Sequence, residues 1–144
     1  MEKAVQSQVV DGCVGSVIEF VIEGNPVPKG RPKAARVGKR AILYTPKKTR
    51  EYEAHVASVA KDYAPDGGLL TGPLRVFLSF YLKKSKGLSK RIVHHVKRGD
   101  IDNYVKSILD ALEGVIYKND SQVVELHATK SYGEPRVEVK VVEL

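Results

Sequence analysis

The sequence predicts an α/β (α+β) single domain, a mixed β-sheet with about two main helices in the order β-α-β-α-β-β. Three observations predict it. Apolar residues alternate at period two in residues 74–82 and 136–142, and they recur at helical spacing downstream of residues 46 and 102. The two kinds of segment also interleave along a chain of 144 residues, the length of one domain with its own core.

Residues 1–15 show little periodicity and read as a flexible N-terminal tail, dispensable to the domain formed by residues 16–144. Residues 17–23 are rich in β-branched and aromatic side chains and suit a strand, stopped by Gly24-Asn25-Pro26. Residues 26–50 carry nine basic side chains among prolines and glycines and read as a basic loop or loose hairpin. Thr45-Pro46 then offers an N-cap followed by proline at the first helical position. With Tyr52, Val56, Val59, Ala60 and Tyr63 at helical spacing, a helix over about 46–63 follows.

Leu74, Val76, Leu78, Phe80 and Leu82 alternate with Arg75, Phe77, Ser79 and Tyr81, a strand whose two largely apolar faces place it centrally. Residues 83–98 hold seven basic side chains and are expected to be mostly exposed loop. Val105, Ile108, Leu109 and Leu112 form one apolar stripe of a second helix, with Asp102 as its cap and Gly114 just past its end. Residues 122–129 and 136–142 are expected to be two final strands joined around Gly133-Glu134-Pro135.

The formal net charge of +7 points to a polyanionic partner, usually nucleic acid and less often an anionic membrane. No apolar run approaches the roughly 18–20 residues that span a bilayer, and the first 16 residues lack the features of a signal peptide. A cytoplasmic protein is expected. The lone cysteine, Cys13, can form no internal disulfide and has no cysteine partner for zinc, which fits a reducing compartment.

Chemistry concentrates at Gly99-Asp100-Ile101-Asp102-Asn103. Two carboxylates one residue apart at a loop-to-helix junction can converge on a hard cation such as Mg²⁺. Asp102, Lys106 and Asp110 recur every four residues along the helix flank, and Asp120 follows a short apolar link that lets the chain turn back. Phosphodiester hydrolysis needs such parts: metal to activate water, and a lysine to stabilise charge building on phosphorus. Each part taken singly has a plainer reading. Asp102 is then only a helix cap, Lys106 only an ion-pair partner, Asn119-Asp120 only a turn, and His94-His95 only loop residues.

Residues 97–126 carry D-I-D-N, a lysine four after the second aspartate, D-A-L, then N-D before S-Q-V. This order and spacing resembles the signature of the RusA family of Holliday junction resolvases. Gly24 through Pro32 and Tyr44-Thr45-Pro46 resemble the N-terminal segment of its phage-type and Gram-positive-type members, so the likeness covers residues 17–142. It implies that Asp100, Asp102 and Asp120 are catalytic metal-binding carboxylates and Lys106 the catalytic lysine. Asp110 also matches and is read as support within the helix. Gly99 stands where many relatives have proline or a basic residue, and is expected to loosen the approach to the site.

The resemblance further implies a Mg²⁺-dependent homodimer, Mn²⁺ being a possible substitute, that cuts four-way junction DNA symmetrically in recombination and repair. Lys29, Arg31, Lys33, Lys84, Lys90 and Arg91 are the expected phosphate contacts, reading backbone and shape more than bases. Two other readings stand beside it. One is a non-catalytic basic nucleic-acid-binding module, and the other a less selective metal-dependent nuclease acting on flaps or RNA.

Overall fold

The computed structural model describes residues 5–10, 13–97 and 99–144, with side chains from residue 15 onward. Most of the tail, and Arg98 of the second basic stretch, lie outside the side chains so described. The elements in chain order are β1 (Val5–Val10), β2 (Cys13–Glu23), β3 (Lys33–Val37), β4 (Arg40–Tyr44), α1 (Lys47–Lys61), β5 (Leu74–Leu82), α2 (Ile101–Leu112), β6 (Val123–Tyr132) and β7 (Arg136–Glu143). Five strands form one sheet in the order β1-β2-β7-β5-β6, and β3 with β4 form a separate two-stranded ribbon.

Period-two patterning decides which face of the large sheet is covered. Ile18, Phe20 and Ile22 of β2, Leu74, Val76, Leu78 and Phe80 of β5, and Val137, Val139 and Val141 of β7 are all buried. They meet Tyr52, Val56 and Ala60 of α1 and Tyr104, Val105, Ile108, Ala111 and Leu112 of α2 in one cluster. The other face carries a charged and aromatic lattice in which Arg75 binds Glu125, His127 stacks on Phe77, and the Lys140 ammonium lies 5.6 Å from the Phe77 ring centre.

All pairings in the sheet are antiparallel except β5 with β6, which run parallel and are joined through α2. Parallel neighbours need such a crossover. It sets the start of α2 beside the C-terminal half of β6, the end of a parallel strand pair at which α/β folds bind ligands.

The expected order β-α-β-α-β-β is found as β2-α1-β5-α2-β6-β7, and the 26–50 segment contains the hairpin β3–β4. The position of β5 between β7 and β6 matches its two-sided apolar pattern. Several local expectations differ. Within the stretch read as a tail, Val5–Val10 runs as a strand antiparallel to β2. Pro46, not Thr45, occupies the N-cap of α1, and, having no side-chain oxygen, it makes no capping hydrogen bond there. Asp102 does not cap α2; it lies in the first turn, and Asp100 holds the N-cap in an extended conformation.

Candidate active site

The head of α2 presents two carboxylates that do no structural work there. Asp100 sits at the N-cap, yet its side chain makes no capping hydrogen bond. Asp102 is exposed in the first turn, and neither carboxylate enters an ion pair among the described residues. The positive end of the helix macrodipole favours negative charge at this place. Both aspartates line one open cleft of about 720 Å³, together with Ile101, His94, His95 and Ala128 through Ser131 of β6.

The loop that delivers Asp100 is fixed from β6. The Lys130 ammonium donates to the Gly99 carbonyl at 2.7 Å, and at 3.4 Å to that of Lys97. Gly99 has φ of 107°, and a Cβ there would come within 2.6 Å of the Tyr104 ring, so only glycine fits. The expectation that Gly99 loosens the approach is thus corrected: the peptide is clamped. Upstream, residues 93–95 are not plain exposed loop. Tyr132 donates its backbone N–H to the Val93 carbonyl at 2.8 Å, and His94 bridges Ser131, so this segment covers part of the β6 edge.

His95 packs edge-on against Tyr132, and its buried Nδ1 has no partner among the described residues. Burial, reinforced by the Lys130 and Lys97 charges, pushes its pKa below the ordinary histidine value. These causes favour the neutral form of the His95 imidazole.

The far end of α2 holds a second group. Asp110 accepts from Lys29 at 3.1 Å and lies 3.6 Å from the Lys106 ammonium, while Lys29 also binds Glu53 of α1. Burial works against the charge of Lys29, but its bonds with Glu53 and Asp110 prevail and raise its pKa. Asp120 opens a short 3-10 turn (Asp120–Gln122), and its backbone N–H donates to Glu113 Oε1 at 3.1 Å. Burial, then the charges of Asp120, Glu113 and Asp110, push the Tyr117 phenol upward, and its hydroxyl donates to the Leu109 carbonyl.

At 1.5 Å of rise per residue, the two ends of α2 lie about 17 Å apart. The structure thus brings Asp100 and Asp102 together, sets Lys106 midway along the same helix, and leaves Asp120 outside the lining of their cleft. Among the described residues, no group of three or more His, Cys, Asp or Glu side chains is close enough to hold a metal ion. The donor chemistry nonetheless fits a hard divalent cation, since Mg²⁺ commonly takes one or two carboxylates, substrate phosphate and several waters.

Of the expected phosphate contacts, Arg31, Lys33, Lys90 and Arg91 are exposed. Lys84 donates to the Ser89 carbonyl at 2.9 Å, and its ammonium lies 5.7 Å from the Tyr132 ring centre. Lys29 differs most from expectation, being a half-buried cross-link between α1 and α2. Sequence reasoning missed Lys130 and Tyr104, which stand at ordinary strand and helix positions that nothing local marks, while His95, expected with His94 to be only a loop residue, lines the cleft.

A sheet-and-helix domain that opens exposed carboxylates into a cleft, with cations on neighbouring loops, has the parts of a nucleic-acid hydrolase. Residues 23–142 match the family model described as "Endodeoxyribonuclease RusA". The chain belongs to this family of Holliday junction endodeoxyribonucleases, hydrolases that act on branched DNA and are generally dependent on a divalent metal. It is also 36% identical over 138 residues to "Uncharacterized protein YqaN" of Bacillus subtilis (strain 168), an alignment covering 88% of this chain and 96% of that one. Among the described residues no helix is long and apolar enough to cross a membrane.

Proposed function

We propose that this chain resolves four-way DNA junctions as a cytoplasmic homodimer, with Mg²⁺ as the working ion and Mn²⁺ able to replace it, cutting two strands of like polarity. Residues 16–144 form the catalytic unit in this reading. The observation that carries it is the head of α2: two carboxylates that, among the described residues, neither cap the helix nor pair with a cation, open to the same cleft. In a mere binding module, aspartates at a helix start would be spent on capping.

Asp100 and Asp102 hold the cation, and Asp120 is the third carboxylate that the family pattern supplies. A divalent ion held by these carboxylates would supply activated water for in-line attack and would offset the charge that builds on the phosphate. Lys106 is largely exposed, and its ion pair with Asp110 is of the kind worth about 0–1 kcal/mol, so it can leave Asp110 for a phosphate oxygen. His95 and Lys130 wall the cleft, and Arg31, Lys33, Lys90 and Arg91 hold the flanking backbone.

The test is cleavage of a labelled four-way junction beside matched linear duplex, with Mg²⁺ and with EDTA. Wild type should give paired nicks confined to the junction and dependent on metal. Asp100→Asn and Asp102→Asn should each lower cleavage by at least about 100-fold, the scale of losing a charge-stabilising group, while junction binding persists. Asp120→Asn separates a three-carboxylate site from a two-carboxylate one: loss of similar size requires Asp120 to join the site in the DNA complex. Metal-independent binding with no cut on any substrate would instead leave a binding module.

A further inference from the structure

The ribbon β3–β4 stands apart from the rest of the molecule. Among the described residues, its strands pair with one another from Lys33↔Tyr44 to Val37↔Arg40 and with no other strand, and neither contributes a residue to the core cluster. Every residue from Lys33 to Tyr44 is exposed except Ala35, which is half-buried. Isolated two-stranded hairpins are marginal in water. This one also leaves large apolar side chains uncovered: Val37 is 61% exposed, Leu43 72%, Ile42 45% and Tyr44 44%.

Charge decides what covers such a surface. No acidic residue occurs from Gly24 to Arg50, while Lys33, Arg36, Lys39 and Arg40 lie on the ribbon itself. Two copies laid ribbon to ribbon would bring these cations against each other, whereas a nucleic acid neutralises them and offers apolar base faces to Tyr44 and Leu43. A two-stranded β-ribbon is also of a size that the DNA major groove admits.

The root of the ribbon is tied to the head of α2. Lys29 donates its backbone N–H to the Asn103 carbonyl at 2.8 Å, one residue from Asp102, and Ser107 donates to the Val27 carbonyl at 2.9 Å. Gly30 donates to the buried Thr49 hydroxyl at 2.9 Å, and a Cβ at Gly30 would meet that oxygen and Pro46 at 3.0 Å. The stem is therefore packed tightly while the arm is bare.

We propose that β3–β4 is a DNA-engaging arm whose cations hold junction phosphates and whose exposed apolar side chains contact unstacked bases at the branch point beside Asp100 and Asp102. This rests on the junction-nuclease reading for its substrate, while its electrostatic half is read on plain duplex.

The experiment compares wild type with Arg36→Gln/Lys39→Gln/Arg40→Gln and with Val37→Ser/Leu43→Ser/Tyr44→Ser. It measures binding in EDTA to a junction and to linear duplex over a range of salt, with 2-aminopurine placed at the branch point. The charge variant should weaken binding to both DNAs and lower the salt slope by about 2.7, near 0.9 per lost contact. The apolar variant should keep its salt slope, lose about tenfold in preference for junction over duplex, and lose the fluorescence rise that reports an unstacked base.

Melting temperatures of both variants should match wild type, because the arm adds nothing to the core. An unchanged salt slope in the first variant, or unchanged junction preference and fluorescence in the second, overturns the proposal. So does a change in sedimentation in the apolar variant, which would make the ribbon a self-association surface. Absence of cleavage by wild type counts against the nuclease reading alone, because the arm is judged on binding.

Discussion

Lys130 and Gly99 show how one hydrogen bond can set the position of a carboxylate that neither residue supplies. The ammonium reaches from β6 to the carbonyl immediately before Asp100, and the left-handed backbone of Gly99, pressed on Tyr104, points that carbonyl toward it. Lys130→Met keeps the length of the side chain and removes the bond. Junction cleavage by this variant should need roughly tenfold more Mg²⁺ for half-maximal rate, the scale on which supporting groups tune metal sites, with DNA binding in EDTA nearly unchanged. An unaltered Mg²⁺ requirement would show that the loop holds its shape without the clamp. Partial recovery in Lys130→Arg, which restores a donor of different shape, would distinguish positioning from bulk charge.

Helix α2 joins stability to function, because its apolar stripe is fastened in the core while its head and flank carry the carboxylates. Ile108 is fully buried on that stripe, so Ile108→Ala should lower unfolding free energy by about 2–5 kcal/mol in a urea titration. That would be a large share of the roughly 5–15 kcal/mol typical of a domain. The stripe was legible in the sequence because burial of Val105, Ile108 and Leu112 repeats with the helical period. The alternating strands were legible for the same reason. What remained hidden depends on contacts between segments. Pairing of residues 93–95 with the β6 edge is made by backbone groups, which leave no side-chain pattern. Lys29 looked like another surface cation, and only the packing of α1 against α2 brings Glu53 and Asp110 to it. The aspartates stand in a motif, which gives their order along the chain but not whether the turn after the helix brings Asp120 back to the cleft of Asp100 and Asp102.

At the scale of the whole molecule, cations are distributed unevenly: the chain carries +7 overall, yet the open face of the sheet pairs its charges internally, as in Glu19 with Lys140 and Arg75 with Glu125. Among the described residues, the cations of the ribbon and of the loop after β5 enter no ion pair, and the stem of the ribbon leads to the head of α2. The sheet itself has a further consequence. Val17 of β2 lies opposite Val142 of β7, so the two ends of the 16–144 unit are neighbours across one pair of strands. Linking residue 144 to residue 16 through a short glycine-serine bridge, and opening the chain between Gly38 and Lys39, should yield a circular permutant that melts cooperatively near the temperature of the parent. Failure of that permutant to fold would mean that β1, which it lacks, is needed to cover the β2 edge. Its success would make the tip of the ribbon a pair of chain ends, ready to accept a fused cargo next to the DNA.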